Sequence, residues 1–294
     1  QGSGIFWTHS WIKGFLAGNT AQDPKSLDAI PENVSYNSAF SGDMQIALRL
    51  DALSLAFTLL ALIIGAVVFI YSTRYLHRGT RILSFYSLMT TFMLAVVVLF
   101  LADDVVLLFI GWELVSLASF FLIARAGSSG EAGSIRTLLL TFTGGLFLVA
   151  ALAVMVATTG TMSVTEIIAS PRWEEEPVRI GLVAILIALA AFSKAAQIPF
   201  HFWLPEAMAA DTPVSAFLHA AAVVKAGIFL LLRFNALFEG VAMWHYVLIV
   251  VGMTTAVMAA VFAMQKTDLK KLTAYSTVSQ LGWIVATIGV GTPF

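Results

Sequence analysis

The stretch AAFSKAAQIPFHFWLPEAM, residues 190–208, places Lys194 at the end of a long apolar run and Pro199 five residues later. A proline lacks a backbone donor and clashes with the preceding turn, so a helix entering this stretch is predicted to kink or end there. Inside a membrane, a broken helix is tolerated only where it lines protein or water. The alternative is an ordinary proline kink, but the break lies beside the one basic residue in this stretch, which favours a functional role.

Composition places the chain in a lipid bilayer. Hydrophobic residues make up 59% of the 294 positions and charged residues 11%, against about 45–50% and about 25% in average soluble domains. The core of a soluble domain of this length cannot bury so large an apolar excess. The 16 basic and 17 acidic residues nearly cancel, so nothing indicates a nucleic-acid partner. The absence of cysteine excludes disulfides and thiolate metal sites.

Eight apolar runs approach the ~20 residues that a helix needs to cross a bilayer. Because a backbone in lipid must satisfy its own hydrogen bonds, the runs are predicted to be helices. They cover residues 52–72, 83–101, 105–124, 137–157, 180–198, 213–232, 244–264 and 272–290. We therefore predict an all-α, polytopic transmembrane helix bundle of about eight spans, with one helix broken near Pro199. Residues 1–50 are polar and turn-rich, and are predicted to form an extramembrane segment.

The distribution of basic residues predicts the orientation of this bundle. Three connections that carry arginines or lysines fall on one side when eight spans alternate: 74–81, 125–136 and 266–271. The loop at 158–178 lies on the other side and carries an acidic run. Because cytoplasmic loops are enriched in basic residues, the first side is predicted to be cytoplasmic, and residues 1–50 are predicted to lie outside the cell.

Four ionisable residues lie deep inside the predicted spans: Glu113, Lys194, His219 and Lys225. Such groups cost on the order of 3 kcal/mol each at the centre of an isolated span, and they usually face protein or water. Burial of a lysine favours its neutral form, whereas a nearby carboxylate favours the ammonium. Lys194 is therefore a candidate proton carrier with Glu113 setting its proton affinity, and Lys225 and His219 are candidates for a lateral hydrated relay.

Each of these residues also has a purely structural interpretation. Glu113 and Lys194 could form an ion pair that only fixes helix packing. Lys225 could extend its long side chain to an interface, and His219 could be a hydrogen-bonded core residue. A scaffold, however, has no reason to retain buried charges, which favours the transport hypothesis.

The break supplies two secondary candidates, Pro199 and His201. Pro199 ends the helix next to the lysine, and His201 could serve the same path or donate to a carbonyl that the break leaves free. The remaining histidines, predicted to be solvated in loops or at helix ends, are His9, His77 and His245.

Three motifs resemble the antiporter-like membrane subunits shared by respiratory complex I and the Mrp-type multisubunit Na+/H+ antiporters. They are GWELVSLASFFLI (111–123), SKAAQIPFHFWLPEAMAADTPVSAFLHAAAVVKAG (193–227) and TDLKKLTAYSTVSQLGW (267–283). The resemblance runs from about residue 48 to the end, and the second motif is long and specific. Lys225 favours similarity to the Mrp subunit that carries a long C-terminal extension of further helices over the distal antiporter-like subunit of complex I.

The resemblance implies roles for individual residues and a fold. Glu113 matches the glutamate on the family's fifth helix, and Lys194 matches its partner lysine on the broken seventh helix. His219 and Lys225 match the histidine and the lysine of the eighth helix. The family fold has fourteen core helices, with two inverted five-helix repeats at its centre.

By that alignment, residues 51–294 form a transmembrane antiporter-like domain truncated at both ends. The first repeat covers about 83–234, and 244–294 begin the second. Residues 1–50 form the extracytoplasmic segment, and both ends of the chain look like cuts through a longer protein.

The function implied by the resemblance is that of a membrane subunit of a multisubunit Na+/H+ antiporter in the cell membrane, translocating protons. Its expected partners are other membrane subunits of a hetero-oligomeric complex, the lipid bilayer, protons and Na+. The alternative is a proton-pumping, non-redox subunit of the NADH–quinone oxidoreductase, complex I. No flavin, quinone, iron–sulfur or nucleotide motif stands in the sequence, and no cluster of carboxylates indicates a metal site. We therefore expect an ion transporter subunit without a cofactor, not an enzyme.

Overall fold

The computed structural model of the chain describes residues 5–8, 47–76 and 82–291. Two short strands, β1 (Ile5–Thr8) and β2 (Ala47–Leu50), pair antiparallel, with Ile5 opposite Leu50. The rest of the predicted extramembrane segment, the connection at 77–81, His9 and His77 lie outside the described residues. The helices are α1 (Ala52–Tyr75), α2 (Ile82–Leu101), α3 (Val105–Ala124), α4 (Ser128–Thr159), α5 (Val164–Ala169), α6 (Pro177–Lys194), α7 (Trp203–Glu206), α8 (Thr212–Ala220), α9 (Val223–Asn235), α10 (Ala242–Met264) and α11 (Leu269–Val290).

The predicted all-α bundle is confirmed. Within the described residues, seven helices are long and apolar enough to cross a membrane. They are Ala52–Tyr75, Ile82–Leu101, Val105–Ala124, Gly130–Thr159, Pro177–Lys194, Thr212–Phe238 and Ala242–Met264. The eighth predicted run is also helical, as α11, but its serines, threonines and two lysines make it more polar than these seven.

Helix α4 begins earlier than its apolar run predicts. The expected loop at 125–136 is reduced to Arg125–Gly127, and α4 then continues for 32 residues from Ser128. Gly127 makes this tight connection with a φ of 68°, a conformation that costs glycine little. Arg136 consequently lies on the helix, where it forms an ion pair with Glu206 of α7.

The predicted span at 213–232 is interrupted between α8 and α9. The N–H groups of Ala221 and Ala222 both donate to the Phe217 carbonyl at 3.2 Å, so the hydrogen-bond pattern shifts locally from four residues to five. Such a shift is the signature of a π-type distortion, which often marks functional sites in helices. No proline or glycine marks this position in the sequence.

The break near Pro199 is confirmed, but the helix ends before the proline. The last residue of α6 is Lys194, and the N–H of Gln197 donates to the carbonyl of Phe192 at 2.9 Å. Ala196, with a φ of 51°, supplies the left-handed turn that this type of helix ending requires. The Ile198–Pro199 peptide bond is cis. The chain then forms α7 and a 3-10 turn at Ala207–Ala209 before α8 begins.

One end of the bundle is joined by a polar network around Asp51. Asp51 caps α1 and pairs with Arg233 at 2.5 Å and Arg49 at 3.1 Å. Burial of this carboxyl acts against its ionisation, but hydrogen bonds from Ser54 and Arg233 outweigh that effect and hold the pKa of Asp51 below its usual value. Arg49 also donates to Thr165 at 2.7 Å, which ties β2 to α5.

The opposite end of the bundle carries a separate set of contacts. Arg125 donates to Ser84 at 2.9 Å, and Lys270 at the start of α11 donates to the carbonyl of Ala210 at 3.1 Å. The Arg136–Glu206 ion pair lies at this same end, where α4 begins. The two sets of contacts agree with the alternating helix directions predicted from the sequence. Which end faces the cytoplasm stays a prediction.

Helices α10 and α11 approach each other closely through Gly252 and Gly282. A Cβ atom built on Gly252 would lie 2.6 Å from the Gly282 carbonyl oxygen and 2.6 Å from the Ala286 nitrogen. Small residues permit such backbone contact between membrane helices, which associate largely through packing.

We expect Gly252→Ala to destabilise the protein by about 1–3 kcal/mol, because the added methyl group must push the two backbones apart. Thermal unfolding of the purified complex in detergent measures this as a lower midpoint temperature. Gly240→Ala is the matched control, since a Cβ there meets nothing within 4 Å. Equal midpoints for the two variants would contradict the packing of α10 on α11.

Candidate functional site: a buried lysine at a helix break

Lys194 is the centre of the candidate site. It is the last residue of α6, and its side chain is 0% exposed. Its ammonium donates a hydrogen bond to the Trp112 carbonyl of α3 and lies over the indole ring, with Nζ 4.1 Å from the ring centroid. A desolvated cation–π contact of this kind is worth about 2 kcal/mol. A backbone carbonyl and an aromatic ring therefore hold the ammonium in the position seen.

Glu113 follows Trp112 on α3 and is half-buried. Its Oε1 atom is buried and accepts no hydrogen bond from any of the described residues. The described ion pairs, taken as N···O distances up to 4.0 Å, do not include Glu113 with Lys194. The two charges attract each other electrostatically without direct contact. The described contacts of the Lys194 ammonium are thus with Trp112, the residue that precedes Glu113 on α3.

Two consecutive glycines of α4 make room for this arrangement. A Cβ atom on Gly145 would overlap Glu113 Oε1, and one on Gly144 would overlap Ser193 Oγ. The α4 backbone therefore lies directly against the carboxylate of α3 and against the residue that precedes Lys194. Sequence reasoning missed these glycines, although a glycine pair inside an apolar helix often marks close backbone approach.

His219 and Lys225 flank the interruption between α8 and α9. His219 is 8% exposed, and neither ring nitrogen has a hydrogen-bond partner among the described residues. Lys225 is half-buried in the first turn of α9. Within the described ranges, no hydrogen bond or ion pair joins either residue to Lys194 or Glu113. A relay between them therefore needs intervening water or side-chain movement.

Gly227 brings the helix of Lys225 to the end of α6. A Cβ on Gly227 would lie 2.6 Å from the Ala191 carbonyl oxygen and 2.7 Å from the Ala195 nitrogen. These atoms belong to the turn that carries Lys194. The two predicted lysines consequently stand on helices in close backbone contact, although no described hydrogen bond joins their side chains.

The secondary candidates lie on the far side of the break. His201 is half-buried and stacks on Phe262 of α10, with ring centroids 6.4 Å apart. Its Nδ1 has no partner among the described residues. Pro199 is exposed. Neither residue touches Lys194 through a described hydrogen bond or ring contact.

His245, predicted to be solvated, is instead half-buried and bridges two backbone carbonyls. Its ring nitrogens lie 2.9 Å from the oxygens of Gly289 and Glu239, which joins the end of α11 to the loop before α10. A histidine near a helix end can serve the backbone in this way because the last carbonyls lack helical donors. In the part of the chain that the structure describes, no group of three His, Cys, Asp or Glu residues could hold a metal ion.

Two residues near Lys194 were not predicted from the sequence. Trp112 supplies both the carbonyl and the ring that contact the lysine. Gln197 is 0% exposed, donates from Nε2 to the Ala195 carbonyl at 2.9 Å, and leaves Oε1 without a described partner. A polar side chain three residues after a lysine in an apolar run was the available signal for Gln197. No signal singled out the Trp112 carbonyl.

The sequence matches two known protein families, and one of the matches contains the whole candidate site. Residues 102–293 match the family described as "NADH:quinone oxidoreductase/Mrp antiporter, TM". Residues 38–86 match the family described as "NADH-Ubiquinone oxidoreductase (complex I), chain 5 N-terminus". All six predicted site residues fall within the first match: Glu113, Lys194, Pro199, His201, His219 and Lys225.

Individual relatives cover most of this chain. The "Putative antiporter subunit mnhA2" of Staphylococcus aureus strain MRSA252 is 42% identical over 262 residues, which are 88% of this chain and 33% of the relative. The protein of the same name from strain USA300 / TCH1516 is 42% identical over 252 residues, 85% of this chain and 32% of the relative. The chain thus spans about a third of the length of these relatives.

A solved structure has the same fold. A chain in the structure of the Mrp complex from Dietzia sp. DQ12-45-1b superposes with a TM-score of 0.83 and is 56% identical. The match covers 85% of this chain and 28% of that chain. The apolar helices and these relatives together identify a multi-pass protein of the cell membrane. The chain belongs to the NADH:quinone oxidoreductase/Mrp antiporter transmembrane family.

Proposed function

We propose that this chain is part of a membrane subunit of a multisubunit Na+/H+ antiporter, in which Lys194 carries the proton and Glu113 sets its proton affinity. One observation carries the proposal. The fully buried Lys194 ammonium contacts the carbonyl and the indole ring of Trp112, while the Oε1 atom of the following residue, Glu113, has no described hydrogen-bond partner. A Glu–Lys pair that only fixed helix packing would be expected in direct contact, because two buried charges offset their loss of hydration only when they lie close together in good geometry.

The contacts of Lys194 are compatible with both of its protonation states. An ammonium has three N–H donors, and a neutral amine retains two donors and gains a lone pair. The Trp112 carbonyl can therefore accept a hydrogen bond before and after deprotonation. Burial favours the amine and a nearby carboxylate favours the ammonium, so a change in the separation of Glu113 and Lys194 changes the proton occupancy of the lysine.

The finer parts of the proposal concern the path and the partners. His219 and Lys225 continue the proton path laterally through water, since no described contact joins them to Lys194. Na+ is bound elsewhere in the assembled complex, to which other membrane subunits contribute. Residues 83–234 correspond to the first repeat of the fold and 244–294 to the beginning of the second. The antiporter assignment is supported by two relatives, of which one is named as an antiporter subunit and the other belongs to a Mrp complex.

We expect membrane vesicles that contain the whole assembled complex to change their internal pH when Na+ is added in the absence of NADH. A pH-sensitive dye measures this in everted vesicles from a host that lacks its own Na+/H+ antiporters. Vesicles without the complex are the control.

The competing function is that of a proton-pumping subunit of complex I, favoured by the match of residues 38–86 to a complex I subunit family. Transport that requires both NADH and quinone would overturn the antiporter proposal in favour of this function. Neighbouring subunits purified with the chain give an independent readout, since iron–sulfur proteins among them indicate complex I.

A further inference from the structure

The broken segment after α6 rests on α10 at two points. The N–H of Ile198 donates a hydrogen bond to Thr255 Oγ1 at 3.0 Å, and the His201 ring stacks on Phe262. Thr255 is 0% exposed. Thr255 and Phe262 are separated by about two helical turns and therefore lie on the same face of α10. This one face of α10 supports the segment both before and after Pro199.

The amide of Ile198 obtains its acceptor from outside the segment. Its neighbours are satisfied locally, since Gln197 donates to Phe192 at 2.9 Å and Phe200 donates to Gln197 at 2.6 Å. Pro199 has no N–H to satisfy. A buried donor left without a partner costs about 1–3 kcal/mol, and the interior of a membrane offers little water to replace one. The Thr255 hydroxyl removes this cost.

We propose that Thr255 is a positioning residue for Lys194. The short turn between Lys194 and Ile198 includes Ala196 in the left-handed conformation, so a shift of Ile198 is passed back to the last turn of α6. Through this turn, the Thr255 hydroxyl fixes where the ammonium meets the carbonyl of Trp112. The inference rests on the proposed function, because it concerns the position of the proton carrier. It adds that α10, which lies outside the first repeat, sets that position.

The chain supplies a matched control in the adjacent residue. Thr254 and Thr255 both donate their hydroxyl hydrogens to the carbonyl four residues earlier, each at 2.7 Å. Thr254 is exposed on the bundle surface, and its described hydrogen bond stays within α10. Replacement of either threonine by valine keeps the branched shape and removes the hydroxyl. Thr255→Val therefore removes the acceptor for the Ile198 N–H, whereas Thr254→Val leaves it in place.

We expect Thr255→Val to lower the turnover of Na+-driven proton transport about tenfold per assembled complex, the effect of a free-energy change within the range for an unpaired buried donor. The apparent KM for Na+ should be unchanged, since the ion does not bind at Lys194. Thr255→Ser restores the hydroxyl and should recover most of the turnover. Thr254→Val should match the parent protein. Parental turnover in Thr255→Val, or an equal loss in Thr255→Ser, would overturn the proposal.

Hydrogen–deuterium exchange of the purified complex tests the contact without relying on transport. The amide of Ile198 should exchange faster in Thr255→Val than in Thr254→Val or the parent, and unchanged exchange in Thr255→Val would overturn the contact. The two hypotheses fail separately. Normal transport in Lys194→Ala overturns the proposed function while leaving the exchange result intact, whereas normal exchange in Thr255→Val removes the role of Thr255 and leaves Lys194 as the carrier.

Discussion

Replacement of Lys194 by alanine is expected to abolish Na+-dependent proton transport while the protein stays folded and assembled. The loss should reach at least ~100-fold, the lower range for removal of a group that transfers protons. The fold should survive because Glu113 is only half-buried and can take up a proton once the ammonium is gone, so that no uncompensated charge is left in the interior. Dye-detected proton movement in vesicles, divided by the amount of assembled complex, measures the effect.

Glu113→Gln tests the same site from the carboxylate side. The amide keeps the shape of the side chain and loses the negative charge, so the attraction on the Lys194 ammonium disappears. We expect transport to be lost here as well. Lys271→Ala and Glu174→Gln are the matched controls, since both side chains are exposed. Full transport in Lys194→Ala or in Glu113→Gln would exclude the proton-carrier mechanism.

The helices and the main break could be predicted from the sequence because each depends on a local property. Apolar runs of sufficient length must be helical in lipid, and each of the eight runs is helical over most of its length in the structure. Pro199 predicted a break through its own chemistry, although the helix ends five residues earlier, at Lys194. The burial of Lys194 also followed from its place inside an apolar run. These predictions required no knowledge of which helices are neighbours.

The partners of Lys194 could not be predicted, because they depend on three-dimensional packing. The ammonium contacts a backbone carbonyl on α3, and the identity of residue 112 does not determine whether its carbonyl is available. The sequence left open whether Glu113 and Lys194 form a direct ion pair, and the described contacts of the ammonium are instead with Trp112. Only the relative rotation of α3, α4 and α6 decides between these two partners.

The interruption at Ala221–Ala222 could not be predicted for a related reason. Alanine is the strongest helix former, so the local sequence favours a continuous helix. The backbone there instead shifts its hydrogen bonds onto Phe217, whose ring packs against Phe92 of α2 with centroids 5.3 Å apart. Tertiary packing has overridden local propensity at this point. Such conflicts between local and global preference are expected at functional sites.

Gly145→Ala is expected to reduce transport strongly without destabilising the fold. The new Cβ would overlap Glu113 Oε1, which is the far end of a flexible side chain and can rotate away at low cost. Alanine also improves helix stability over glycine by roughly 0.5–1 kcal/mol. The carboxylate must nevertheless leave its position beside Lys194. Because misplacement by about 1 Å can cost ~100-fold in a reaction, we expect a loss of this order in vesicle transport and an unchanged or higher unfolding midpoint.

Two further glycines make this result interpretable. Gly181→Ala on α6 adds the same methyl group where a Cβ meets nothing within 4 Å, so transport should be unchanged. Gly144→Ala would overlap Ser193 Oγ and place its Cβ 2.7 Å from Ser193 Cβ, next to Lys194. Because the Ser193 Cβ atom is attached to the backbone and cannot rotate away, Gly144→Ala should lower both stability and transport. If Gly145→Ala transported protons as well as the parent protein, proton movement would not depend on the Glu113 carboxylate lying against the α4 backbone.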